Sequence, residues 1–401
     1  MRFSVQGQCR HSPEASHCCP LLGLESDMSL NPIGVAVPFF FALIAIEFPV
    51  LRRQERPVRI NDAITDMSCG LGDQLISIFT KAALLVPYVF IVEHYAIWSL
   101  ASDSIWTWIL GTLGVDVAYY WFHRFGHRVN FGWAWHVVHH QSEEYNLSVA
   151  LRQPWFAQLY SWIFYLPLAL IGVPVEVYAT SYALNLLYQF WIHTETIGRL
   201  GPFEWIFNSP SHHRVHHGTN PRYLDKNYAG IFIIWDRMFG TFQEEDEKAL
   251  YGTLKPLRSW NPLWANVQPW MTLVRASAAQ EHWLDKLKIW FMPPAWSAGV
   301  EHDPASLFDG PERGYDVDYA RSRHLYIIAN LGILAVVLGI MLTFENQIPL
   351  VYLIIGGIFT LWTAMAWGGF FEGRKWARPA EGARLVFVVA LCAWFTTTWP
   401  G

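Results

Sequence analysis

Apolar residues run along this chain in long unbroken stretches, without the strict alternation of a half-buried strand, and at lengths near the 20 or so helical residues needed to cross about 30 Å of hydrocarbon. Such stretches lie at roughly Ile33–Leu51, Gln74–Leu100, Ser104–Phe122, Trp155–Val173, Val175–Ile192, His324–Phe344, Ile348–Phe371 and Ala383–Pro400. The pattern predicts an all-α fold, a polytopic membrane helical bundle. Lys81, Pro87 and Glu93 interrupt the second stretch, which is therefore a bent span or a membrane-embedded hairpin.

Basic residues follow the first span (Arg52, Arg53, Arg56, Arg59), the third (Arg124, Arg128) and the seventh (Arg374, Lys375, Arg378). Counting Gln74–Leu100 as a single span puts all three clusters on one side, which the charge rule for membrane proteins makes the cytosolic one. The composition agrees with a bilayer setting: of 401 residues 53% are hydrophobic and 15% charged, against about 25% charged in an average soluble domain. A net charge of −5 gives no excess of Lys and Arg for a nucleic-acid partner.

Residues 1–27 are polar and hold three of the five cysteines, Cys9, Cys18 and Cys19, without the apolar run of a signal peptide. Met28 directly precedes the first span, so it is either the natural start or the end of a disordered tail. Cys69 and Cys392 have no CxxC spacing, so neither a disulfide framework nor a zinc ribbon is expected.

Ten of the 16 histidines fall between residues 123 and 217. His123 and His127 are four apart, which puts both imidazoles on one helix face with Cβ atoms about 5–6 Å apart. His136, His139 and His140 combine three- and four-residue spacings, and His213, His216 and His217 repeat them. Together they offer eight imidazoles, about four for each of two metals. A lone histidine in an apolar chain is ordinarily a hydrogen-bonded packing residue. Three groups with one period at one membrane face call for a shared cause, because each buried imidazole needs a partner. Imidazole suits zinc, copper, iron and nickel. An HExxH motif is absent, and the sole Glu-x-x-His, Glu14 to His17, lies in the polar tail, so the carboxylate-rich pattern of di-iron helix bundles is missing. An all-histidine dinuclear site in a membrane points to oxygen activation by non-haem iron, with zinc as the other reading.

On these residues the chain resembles the fatty acid hydroxylase and sterol desaturase superfamily. The resemblance narrows to its alkylglycerol monooxygenase branch through the run from Tyr119 to His127 and those at Glu143–Ser148, Ala150–Gln153, Leu187–Glu195, Ser209–Gly218, Asp225–Gly230, Trp235–Asp236 and Phe239–Phe242. It covers about residues 115–245. It implies a monooxygenase that takes a lipid from the bilayer and hydroxylates its ether-bonded carbon with O2, giving a hemiacetal that breaks down to a fatty aldehyde. It also implies two Fe ions on the eight histidines and an electron donor, tetrahydrobiopterin. The branch carries a glutamate directly after the second histidine where this chain has Arg128, a charge reversal that bears on the reductant site. Fatty acid, sphingoid or sterol hydroxylation or desaturation is the alternative within the superfamily. The expected layout is a tail (1–27), a membrane-embedded hydroxylase domain (28–260), a cytosolic connecting region (261–323) and C-terminal spans (324–401). The expected location is a bacterial inner membrane or the endoplasmic reticulum, with the active site facing the cytosol.

Readings from other classes are a membrane metal transporter or sensor and a zinc hydrolase. Transporters ordinarily place ligands at mid-membrane on broken helices, and catalytic zinc takes about three protein ligands; eight histidines at helix ends fit neither.

Further candidates surround these groups. Asp116, within the third span, is a partner for a ligating imidazole or a helix–helix hydrogen bond. The resemblance makes His193 a candidate outer ligand, since some hydroxylases of the superfamily carry an extra histidine in this interval. His212 projects about 100° away from His213 on a helix and reads as a hydrogen-bonding neighbour. Asp236 and Asn227 are weaker candidates, with surface or capping roles. The aromatics Tyr119, Tyr120, Trp121, Trp133, Trp135, Tyr188 and Trp191 read first as an interfacial belt and second as a greasy tunnel for an alkyl chain.

Overall fold

The computed structural model describes residues 32–56, 58–297, 300–301, 315–317 and 321–398, all within one unit of the chain. The readings of the N-terminal tail, of Met28 and of the Glu14–His17 pair lie outside the described residues. Among those described the fold is helical, apart from a two-residue antiparallel pairing of Trp296–Ser297 with Val300–Glu301.

In chain order the helices are α1 (Pro32–Arg53), α2 (Ile60–Tyr95), α3 (Ile105–Arg128), α4 (Asn130–His140), α5 (Gln158–Ile171), α6 (Val175–Trp191), α7 (Pro210–His217), α8 (Ile234–Phe239), α9 (Pro262–Ala278), α10 (Trp283–Lys288), α11 (Arg321–Thr343), α12 (Leu350–Phe371) and α13 (Ala377–Thr398). Each of the eight predicted stretches coincides with a helix. Four helices, α1, α2, α11 and α12, are by themselves long and apolar enough to cross a membrane. The difference has a plain cause. α5 and α6 have 14 and 17 residues, and the apolar stretches read from the sequence include the loop residues around them. α3 spends its last turns on His123, Arg124, His127 and Arg128. The protein is an integral membrane protein.

The second stretch is one helix and no hairpin. α2 runs 36 residues through Pro87 and begins 14 residues ahead of Gln74, a length of about 54 Å at 1.5 Å per residue. It divides the molecule. On one side Leu71 and Leu75 pack with Ile44 of α1, Leu331, Leu334 and Leu338 of α11, and Leu353 and Trp367 of α12. On the other, Tyr88 joins Val115 of α3, Tyr165 and Leu168 of α5, and Val177 and Tyr178 of α6. Lipid tails are as apolar as these side chains, so close fit rather than escape from water holds such helices together. Gly114 of α3 illustrates it: a Cβ there would stand 2.4 Å from Leu168.

Beyond the spans, α3 ends at Val129, in extended conformation (φ −128°, ψ 130°), and α4 starts at the next residue. A side chain at Gly132 would stand 2.4 Å from the Phe125 carbonyl oxygen, so the sharp α3–α4 corner needs a residue without a Cβ. α9 and α10 lie against α4, where Ala134, Leu273, Ile289 and Trp296 form a small core. The Asn130 and Phe131 amides donate to the carbonyls of Met292 and Trp290.

Candidate metal centre

The corner turns the last two turns of α3 and the whole of α4 toward α7. Their histidines sort into two groups, within each of which the ring nitrogens lie within 4.8 Å of one another. One group holds His123, His127, His136, His140 and His216; the other holds His139, His193, His213 and His217. The sorting follows from helix geometry. Around a helix, residues four apart are offset by about 40° and residues three apart by about 60° in the opposite sense. The pairs 123/127, 136/140 and 213/217 therefore stay together, while His139 and His216 cross to the opposite group. The structure brings all eight expected histidines together and adds His193, which follows α6, so the division is five and four rather than four and four.

The nitrogens converge closely. His123 Nε2 lies 3.0 Å from His136 Nε2, and His140 Nε2 lies 3.1 Å from the same atom. His193 Nε2 is 3.1 Å from His139 Nε2 and 3.0 Å from His213 Nε2. The far ring nitrogens are tied back to carbonyls: His123 Nδ1 to Tyr228 O (2.8 Å), His139 to Arg152 O (3.1 Å), His193 to Gln189 O (2.7 Å) and His216 to Lys226 O (3.0 Å). An Nδ1–H that donates to a carbonyl fixes the tautomer and leaves the Nε2 lone pair free, the state a metal ligand requires. The Nε2 atoms of His127, His216 and His217 are buried and have no protein partner. Burial, then repulsion among the rings, pushes His140 and His217 well below the ordinary imidazole range; burial pushes His139 to about 4 and His216 to about 3. Neutral imidazoles aimed at two common points, with orphaned nitrogens among them, fit two metal ions.

Around the rings stands a buried polar frame that sequence reasoning largely missed. Arg152, 2% exposed, donates to Val138 O, Asp66 and Gln141, while its own carbonyl receives His139. Asp62 lies 3.6 Å from the same guanidinium. Arg59 reaches back to Glu143 and Glu144, and burial together with nearby Asp62 raises Glu144 to about 7. In the sequence Arg152 stands within the Ala150–Gln153 run; its signal is a charged residue among apolar ones after a histidine group.

Asp116 touches no histidine. Its carboxylate accepts from Asn185, the amides of Ile231 and Phe232, and the Trp235 indole, so it joins α3 to α6 and to the loop before α8. Four donors leave no lone pair pointed at an imidazole, and the helix-joining reading is the one the structure supports. Asp236, raised to about 6 by burial, accepts from Thr241 and from the amides of Tyr228 and Ala229. Asp116 and Asp236 thus hold the loop whose Tyr228 carbonyl orients His123. Asn227 donates to the carbonyls of His212 and Gln243. His212 belongs to neither group; its ring meets Phe242 edge-on. Arg128, 45% exposed, pairs with Asp225 (2.6 Å), whose other oxygen is 3.9 Å from His127 Nδ1.

A cavity of about 180 Å³ opens beside the centre, lined by His123, His136, His139 and His193 and extending to α1 and α11. Of the seven aromatics considered for a tunnel, Tyr119 and Trp135 line it. Trp121 is 44% exposed and belongs to the outer surface.

Residues 108–241 match the fatty acid hydroxylase family model. The chain is 47% identical to human alkylglycerol monooxygenase over 266 residues, 66% of this chain and 60% of that protein. It is 38% identical to the alkylglycerol monooxygenase of Xenopus tropicalis (89% of this chain, 81% of that protein) and 39% identical to that of Danio rerio (90% and 82%). No solved structure matches the chain.

Proposed function

The chain belongs to the alkylglycerol monooxygenase family, and from that premise we propose that it hydroxylates the ether-bonded carbon of an alkylglycerol-type lipid with O2 at a di-iron centre held by nine histidines. The overall reaction consumes one lipid, one O2, two electrons and two protons, and yields a hemiacetal and one water. The hemiacetal then parts into a fatty aldehyde and a glycerol product. When bound, iron supplies the oxygen activation that side chains cannot.

The single observation that carries this reading is the convergence of nitrogens to 3.0–3.1 Å within both groups. Four or five imidazoles to each group exceed the roughly three protein ligands of a catalytic zinc, and iron, when bound, would be held by these side chains. The carbonyls of Arg152, Gln189, Lys226 and Tyr228 orient the imidazoles, and the apolar wall of the cavity excludes water and lays the chain beside them.

The histidines sit at the ends of α3 and α4, the same end at which α1 closes with Arg52 and Arg53. That placement supports a centre facing the cytosol. The reductant we assign is tetrahydrobiopterin, with the Arg128–Asp225 pair at the rim of the five-histidine group as the place where this chain departs from the family. The test is metal analysis of purified protein combined with an oxygen-dependent assay of fatty aldehyde from an alkylglycerol, with and without pterin. Two irons per chain and O2-dependent aldehyde are expected; aldehyde formation by iron-free, zinc-loaded protein refutes the reading.

A further inference from the structure

Beside the four-histidine group the buried Tyr145 ring lies 5.2 Å from that of His217 and 5.8 Å from that of His193, between centroids. The same ring is stacked on Tyr251, with centroids 4.9 Å apart and planes 14° from parallel. The two hydroxyls meet different acceptors. That of Tyr145 donates to the Ile192 carbonyl (3.0 Å), whereas that of Tyr251 donates to Oε1 of Glu195 (3.1 Å). Arg56 pairs with the same carboxylate oxygen (2.9 Å). Tyr251 is partly exposed and the Arg56 side chain is 35% exposed, so the row that starts at the histidines reaches the surface.

Stacking alone is ordinary aromatic packing, which phenylalanine would serve as well. The Tyr251 hydroxyl adds something packing does not need, a carboxylate within hydrogen-bond reach to take its proton. A phenol gives up an electron far more readily when its proton leaves at the same moment. Tyr145 lacks that help, because a peptide carbonyl holds a proton poorly. We propose that Tyr251, coupled through the Tyr145 ring to the four-histidine group, is a redox relay that discharges the metal centre when O2 is activated with no substrate in place. This rests on the di-iron reading and goes beyond it. Tyr251 loses one electron, through Tyr145, to the histidine-held metal, which is reduced by one, and its phenolic proton passes along the hydrogen bond to Glu195. A one-electron reductant in solution, such as ascorbate, then returns an electron to Tyr251 while Glu195 returns the proton. Two such passages complete the reduction of an unused O2. The sum takes one O2, two electrons and two protons from the ordinary donor, and two ascorbates that each lose one electron and one proton; it gives two waters and two ascorbyl radicals. The relay spares the nine imidazoles that stand around the metals, a way of excluding a competing reaction.

The test uses full-length, iron-loaded protein in nanodiscs of diester phospholipid, reduced, mixed with O2 in the absence of an alkylglycerol, freeze-quenched and examined by electron paramagnetic resonance. A tyrosyl signal is expected, narrowed when the protein carries ring-deuterated tyrosine and removed by ascorbate. Tyr251→Phe keeps the stack and loses the signal, with iron content and thermal midpoint unchanged. Tyr145→Phe keeps a ring between Tyr251 and the histidines, and retains the signal. Substrate-free turnover inactivates Tyr251→Phe faster than the unsubstituted protein, and ascorbate protects only the latter. A tyrosyl signal that survives Tyr251→Phe, or no tyrosyl signal from iron-loaded protein that forms aldehyde from an alkylglycerol, overturns the relay. Purified protein that forms aldehyde with zinc and no iron overturns the di-iron reading itself.

Discussion

The five-histidine group takes its side chains from α3, α4 and α7, whereas the four-histidine group takes one from α4, two from α7 and His193 from the turn after α6. Their outer supports differ as well. The carbonyls of Tyr228 and Lys226, on one loop pinned by Asp116 and Asp236, hold the first group. The second rests on the carbonyls of Arg152 and Gln189, from separate segments, with a buried ion pair behind one of them. The first group is complete on the helices α3, α4 and α7. The second is completed by a residue that depends on where α6 ends.

That contrast can be broken in order of severity. Alanine at His139 or His216, the two side chains that cross between groups, should remove aldehyde formation below detection and lower bound iron in both positions, measured by plasma emission spectrometry. His193→Ala should lose roughly 100-fold in activity and about one iron per chain, whereas His212→Ala, outside both groups, should stay within about two-fold; equal iron loss in both variants would show that His193 is no ligand. Arg152→Met, which leaves Asp66 buried without its cation, should destabilise the protein by about 3–5 kcal/mol, read as a fall in thermal midpoint, and should weaken the second iron more than the first. Arg128→Glu removes a half-exposed pair contributing about 0–1 kcal/mol, so the midpoint and iron content should hold while the KM for the pterin moves.

The three histidine groups were legible because the helix period writes a shared face directly into the spacing of residues 123/127, 136/140 and 213/217. His193 carries no such period, since its partners come from other segments; its only local signal is a position at the end of an apolar helix that reaches the same end of the bundle as α3. Asp116 stands seven residues, about two turns, before His123, a spacing that fits a partner for an imidazole as readily as a helix–helix hydrogen bond. Two of its four donors are backbone amides, of residues 231 and 232, and a backbone donor has no side-chain identity to read. The apolar pattern likewise found α1, α2, α3, α5, α6, α11, α12 and α13 but neither α8, α9 and α10 nor the start of α2, whose first two turns mix Arg59-, Asp62- and Asp66-centred polar contacts with apolar ones.

The crossing of His139 and His216 also decides which changes in chain length the protein survives. Inserting or deleting one residue inside α4 or α7 turns everything beyond it by about 100° and shifts it by about 1.5 Å. Because each of these helices feeds both groups, such a change displaces imidazoles from both groups at once, and neither is left intact. The intervals Val137–Val138 and Arg214–Val215 can therefore vary in side chain, within the limits of packing, but not in number. A frame of two residues between histidines is the quantity that selection must keep.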